Sequence, residues 1–122
     1  INCENFLDIN IQQMDIMIDK PDKVYDIIIC NPPYISNADY LTLDPDVINY
    51  DPQDALTDYK DGLSFYIRLA EIGKKIKTNS GSIIMEFGVE KQITMIKNIF
   101  SNYNFIEVQK DCNNMPRIIE FV

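Results

Sequence analysis

The sequence predicts an α/β fold: a mostly parallel sheet with an antiparallel pair at one edge. Three observations carry this expectation. Apolar runs at 24–30 and 82–87 flank a segment of helical periodicity, the pattern of two parallel strands joined by a crossover. The first run holds Ile27, Ile28 and Ile29 in succession, as a strand covered on both faces does. Two further strand-like runs, 104–110 and 117–122, are joined by a segment rich in turn-forming residues.

Taken in order, the chain opens with the end of a strand over 1–5. Between Ile9 and Lys20 the apolar residues mix both periods, and only a short helix over 12–18 is predicted. Pro21, Asp22 and Lys23 make a turn, and 24–30 is a buried parallel strand. Residues 35–60, rich in Pro, Asp and Asn, read as a long loop with one helical turn, a length that in a compact domain marks function or disorder. Asp61 is expected to cap a helix over 62–77 that places Leu63, Tyr66, Ile67, Ala70 and Ile76 on one face. Ser80-Gly81 turns the chain into the strand 82–87, which Gly88 ends. A second helix then carries Val89, Ile93, Ile96 and Phe100 at helical spacing.

Composition narrows the function classes. With 122 residues and 46% apolar content, the chain is long enough for one domain with a core. Three cysteines, Cys3, Cys30 and Cys112, show no CxxC spacing, so a disulfide framework is not expected; Cys3 and Cys30 read as small hydrophobes at strand ends. Histidine is absent, which removes a Ser-His-Asp triad and a zinc-binding HExxH helix from this chain. A net charge of −8 disfavours binding nucleic acid through its phosphates and suits a basic protein partner. No apolar run approaches the roughly 18 residues of a membrane span, and the chain reads as cytoplasmic.

The chemistry is concentrated in Asn31-Pro32-Pro33-Tyr34, at the end of the first apolar run. An amide or aromatic amino nitrogen is a poor nucleophile, because its lone pair is delocalised. Acceptors aimed at its N–H bonds fix the group and return electron density to nitrogen. Asn31 offers an acceptor and a donor together. Pro32 and Pro33 lack N–H groups and have a locked φ, so the carbonyls there are rigidly presented. Tyr34 supplies a flat face for a planar group. What remains is alignment with an electrophilic methyl group, which is catalysis by proximity. Asn5, Asn31 and Glu86 all fall at predicted strand ends, where ligands of parallel sheets sit.

The chain resembles the release-factor glutamine methyltransferases, the PrmC/HemK family. The resemblance rests on the run from Asp26 to Ile35, on Asp46-Val47, Asp51-Pro52 and Ala55-Leu56, and on Asp61-Gly62-Leu63 with Tyr66. It continues through Glu86-Phe87-Gly88 with Gln92, Lys110-Asp111 and Arg117. It implies the carboxyl half of a class I, Rossmann-like methyltransferase domain that uses S-adenosyl-L-methionine. The implied substrate is the side-chain amide of the glutamine in the Gly-Gly-Gln loop of peptide chain release factors. By the same resemblance Asn31, Pro32 and Pro33 hold that amide, Tyr34 stacks near it, and Asn5 and Phe6 lie by the cofactor together with Asn31. Asn5 stands where the family has an acidic residue, and Asp51 where Glu is commoner.

Four glycines with no G-x-G cannot make a glycine-rich cofactor loop. The expectation for 1–122 is therefore a partial methyltransferase domain, without that loop or the family's helical substrate-docking domain. Such a piece is expected to be inactive alone and to expose an apolar sheet edge that favours aggregation. Two other readings stay open. One is an adenine-N6 methyltransferase, which holds a flipped base with the same tetrapeptide; the other is a non-catalytic interaction domain. The aspartates at 44, 46, 51, 54, 58 and 61 miss the EF-hand spacing and read as a solvated or substrate-shaping rim with no metal. Glu86 is expected to hold neighbouring backbone amides, Arg117 to pair with an acidic group, and Tyr66 and Phe100 to be core.

Overall fold

The computed structural model describes residues 9–122. Its elements run β1 (Tyr25–Cys30), α1 (Asn37–Tyr40), α2 (Pro45–Tyr50), α3 (Gln53–Leu56), α4 (Ser64–Ile76), β2 (Lys77–Glu86), α5 (Lys91–Ile99), β3 (Phe105–Lys110) and β4 (Pro116–Phe121). The four strands form one sheet in the order β1-β2-β4-β3. β1 and β2 are parallel, with Cys30 beside Met85, and β4 runs antiparallel to both β2 and β3. The predicted α/β class, parallel pair and terminal hairpin are all present.

In-register residues share a face, so Ile83 and Met85 of β2 stand with Ile119 and Phe121 of β4. Phe87, just past β2, joins them, and α4 contributes Tyr66 and Leu69 and α5 Ile96, followed by Phe100. Together these residues make a core in which each is at most 3% exposed. The rings of Phe100 and Phe121 stack 4.6 Å apart. Each large side chain buried this way contributes about 1.5–3 kcal/mol relative to exposure. Tyr66 and Phe100 are core residues, as expected.

Several expectations are corrected. The strand β1 is parallel but not buried: it is the edge strand of the described sheet, and Ile27 and Ile29 are 60% and 78% exposed. A run of three isoleucines reports strand propensity, whereas burial depends on what lies across the face, and no described element covers it. Over 12–18 there is only a turn, in which Asp15 accepts from the Met17 amide at 2.9 Å and its carbonyl from Asp19 at 2.8 Å. The loop 35–60 carries three short helices instead of one turn. Two have side-chain caps, Ser36 on α1 and Asp44 on α2.

Ser80-Gly81 does not turn the chain before β2. The strand starts at Lys77, and the register jumps from Tyr25↔Lys77 to Ile27↔Ser82 around it. Thr78 ties this wide bulge to Asp26 through a 3.0 Å hydrogen bond. Along the helices, Ile67 and Val89 are 45% exposed, while Leu69, Ile72 and Gln92 take the buried positions. Tyr66, Ile76, Ile96 and Phe100 lie on the buried faces as expected, so only the margins of those faces were misplaced.

Asp58, not Asp61, is the main anchor at the start of α4. Its two carboxylate oxygens accept from Lys60, Gly62 and Ser64 at 2.9, 2.9 and 3.0 Å, while Asp61 accepts only from Leu63. Burial alone would raise the Asp58 pKa, but the hydrogen bonds from Ser64, Lys60 and Gly62 outweigh it and hold the carboxyl below its ordinary value. A depressed folded pKa contributes stability that is present above the unfolded value and lost as pH falls through the folded one. Resistance to urea is therefore expected to weaken below about pH 4. Asp58→Ala should remove part of that acid sensitivity and cost about 1–2 kcal/mol at neutral pH. An unchanged urea midpoint would contradict this account of the cap.

Candidate active site

The parallel register of β1 and β2 brings Asn31, which follows Cys30, alongside Glu86 at the end of β2. Asn31 is exposed, Pro32 is buried, and Pro33 and Tyr34 are half-buried. Of the polar groups expected at strand ends, two converge; Asn5, with Phe6 and Cys3, lies outside the described residues. Asn31, Pro32, Tyr34 and Ile35 line a cavity of about 300 Å³, and Ala55 and Leu56 form its other wall. That wall comes from the end of α3. It was legible in the sequence only as a loop too long to be a simple connection.

No described donor meets the carbonyls of Pro32 or Pro33, and the Asn31 side chain bonds to no other described residue. The cavity thus combines apolar walls with one amide and rigid carbonyl acceptors. Chemically it can take a small planar group that donates N–H bonds.

Tyr34 is held from several directions. Its hydroxyl donates to Glu86 Oε1 at 2.9 Å. Its ring lies against Gly88, where an added Cβ would stand 2.8 Å from Cδ2. Burial first, then the hydrogen bond and charge of Glu86, raise the phenol pKa, opposed by the nearby Arg117. The hydroxyl therefore stays a neutral donor at neutral pH. Contrary to the expectation from sequence, the Glu86 carboxylate meets no backbone amide among the described residues and accepts instead from the Tyr34 hydroxyl. The Glu86 backbone carbonyl accepts from Tyr66 Oη at 2.7 Å.

Arg117 pairs with Asp111 at 3.4 Å and also donates to the Gly88 carbonyl. This is the internal partner expected for it. Burial pushes the Cys30 thiol up to about 11, so it packs as a protonated small hydrophobe beside the motif.

No family model matches the chain. Curated relatives do. The chain is 39% identical over 97 residues to the release factor glutamine methyltransferase of Fusobacterium nucleatum, covering 78% of this chain and 27% of that protein. The enzyme of the same name from Thermodesulfovibrio yellowstonii is 37% identical over 100 residues, or 80% of this chain and 36% of that one. A bifunctional methyltransferase of Rickettsia conorii is 38% identical over 99 residues, covering 80% of this chain and 19% of that protein. Over these residues the chain belongs to the release factor glutamine methyltransferase family. It spans about a third or less of the length of these relatives.

The remaining features around the cavity are structural supports. Among the described residues no group of three or more metal-ligating side chains converges. Four of the six rim aspartates are engaged locally: Asp44 caps α2, Asp54 accepts from the Tyr59 hydroxyl, and Asp58 and Asp61 accept from backbone amides. No helix of the described residues is long and apolar enough to cross a membrane.

The two glycines touching Tyr34 differ in what they permit. Gly62 has φ +79°, and a Cβ there would lie 2.2 Å from the Tyr34 carbonyl oxygen, a backbone atom. At Gly88 the obstacle is a side-chain ring that can move. Gly62→Ala is expected to destabilise by more than about 1 kcal/mol. Gly88→Ala should cost less but displace the Tyr34 ring and break its bond to Glu86. Thermal unfolding of both variants, with a structure of the second, checks the order; equal losses would refute it.

Proposed function

We propose that this chain forms the methyl-acceptor side of a protein-glutamine methyltransferase. Its substrate is the side-chain amide of the glutamine in the Gly-Gly-Gln loop of peptide chain release factors. The observation that carries the reading is the Asn31–Tyr34 turn at the end of β1, where Asn31, Pro32 and Tyr34 line a cavity and neither the Asn31 amide nor the Pro32 carbonyl has a hydrogen-bond partner among the described residues. A primary amide has two N–H bonds. In this reading the Asn31 side-chain carbonyl and the Pro32 carbonyl accept from them, the Asn31 amide group donates to the substrate carbonyl, and Tyr34 bounds the cavity as a flat wall. Ala55, Leu56 and Ile35 exclude water, which strengthens those hydrogen bonds. A nitrogen fixed in this way keeps its lone pair directed at a single point, and no general base with a shifted pKa is needed to hold it there.

The methyl donor in this reading is S-adenosylmethionine. The described residues do not fit the whole of it. Glu86, the one strand-end carboxylate, is engaged by Tyr34 and is not free for ribose hydroxyls. Asn5 and Phe6 lie outside the described residues. The part assigned to this chain is accordingly acceptor binding and orientation, with release factors as partners. Placement of the reaction in the cytoplasm follows from that choice of substrate.

Transfer of label from S-adenosylmethionine to a release factor, using the full-length protein, tests the reading. Asn31→Ala is expected to lower transfer by at least about 10²-fold, roughly 3 kcal/mol of lost transition-state stabilisation. Label on the adenine of a DNA substrate and none on the release factor would reassign the acceptor to a nucleobase. Label on neither would leave the non-catalytic reading standing.

A further inference from the structure

We infer that Gln92, on the first turn of α5, is a positioning residue that locks the peptide between Tyr34 and Ile35. The inference rests on the function proposed above and adds to it the device that keeps the acceptor turn rigid. Gln92 is only 5% exposed, and its amide group uses both ends. Nε2 donates to the Tyr34 carbonyl at 2.9 Å, across 58 positions of sequence. Oε1 accepts from the amides of Gly88 and Val89 at 3.0 and 3.2 Å. One side chain therefore joins the acceptor turn to the segment that seats the Tyr34 ring.

The same peptide group is fixed on its other side. The Ile35 amide donates to the Leu56 carbonyl at 3.0 Å, from the segment that forms the far wall of the cavity. Gly62 backs the Tyr34 carbonyl so closely that no side chain fits there. With the carbonyl held by Gln92 and the N–H held by Leu56, the plane of this peptide cannot rotate. Pro32 and Pro33 restrict the two residues before it. The whole turn from Asn31 to Ile35 is then determined by locked φ angles at one end and a clamped peptide at the other.

A capping role alone would explain only half of this. Acceptance from Gly88 and Val89 satisfies amides just before α5, as a side chain reaching back over a helix start does. The donated bond to Tyr34 serves no helix end. A glutamate at this position keeps the acceptor and lacks the amide donor, so it separates the two roles.

The test uses the full-length protein with Gln92→Glu, Gln92→Leu and the remote core variant Ile72→Ala. Two readouts are taken: ring resonances of isotopically labelled tyrosine, with Tyr34 assigned through Tyr34→Phe, and kcat and KM for methyl transfer to a release factor. Both Gln92 variants are expected to shift and broaden the Tyr34 signals and to lower kcat by on the order of 10²-fold, with KM little changed. Ile72→Ala should lose stability without either effect. Tyr34 signals that stay in place in both Gln92 variants overturn the clamp. Signals that move while kcat holds overturn its role in catalysis. If the unmutated protein transfers no methyl group to a release factor, the proposed function fails, and the Tyr34 resonances alone decide whether the clamp exists.

Discussion

Because β1 and β2 run parallel with Cys30 beside Met85, the chain leaves both strands at the same edge of the sheet. Everything at the candidate site depends on that alignment. It sets Asn31 near Glu86, lets the Tyr34 hydroxyl reach the Glu86 carboxylate, and brings Gly88 under the Tyr34 ring. An antiparallel pair would send the two ends to opposite edges and leave the tetrapeptide with no partner. Parallel pairing requires a long crossover, and here that crossover also supplies Ala55 and Leu56 for the cavity wall and Gly62 for the turn's backing.

The anchors around the tetrapeptide are of different physical kinds, and this makes them complementary. Steric exclusion at Gly62 and Gly88 sets how close the backbone and ring come. Hydrogen bonds from Gln92 and to Leu56 set the orientation of one peptide plane. The buried core of Tyr66, Met85, Phe87 and Ile96 sets the distance between α4, α5 and the sheet, and so the distances over which those hydrogen bonds act. Tyr66 belongs to both systems, since its ring is in the core and its hydroxyl holds the Glu86 backbone. A packing change at Tyr66 itself is thereby transmitted to the site with few intervening atoms.

Membership in the release factor glutamine methyltransferase family rests on similarity over about four fifths of the chain. Glu86, Gly88 and Gln92 from one short segment meet Tyr34 and Arg117 from two distant ones, around the loop that follows β2. The exposed face of Ile27 and Ile29 on β1 marks where the described structure has no covering layer.

The sequence by itself determined the α/β class, the two parallel strands, the hairpin and the Asn31–Tyr34 turn that ends β1, because each is written in neighbouring residues: strand propensity, turn chemistry and proline geometry act over a few positions. It also placed Arg117 in an internal pair, since a half-buried guanidinium needs a carboxylate. It misjudged what burial decides. Ile27-Ile28-Ile29 looked covered and Val89 looked like core, but burial is a property of the facing element, which no local window contains. Asp61 looked like the cap of α4, yet Asp58 does most of that work from two to six residues away because the chain folds back through Tyr59 with positive φ. Only the tertiary structure could decide that Glu86 holds a tyrosine and that Gln92 reaches the tetrapeptide. Those contacts join residues some fifty or more positions apart, and a hydrogen bond at that separation exists only once the sheet register is set.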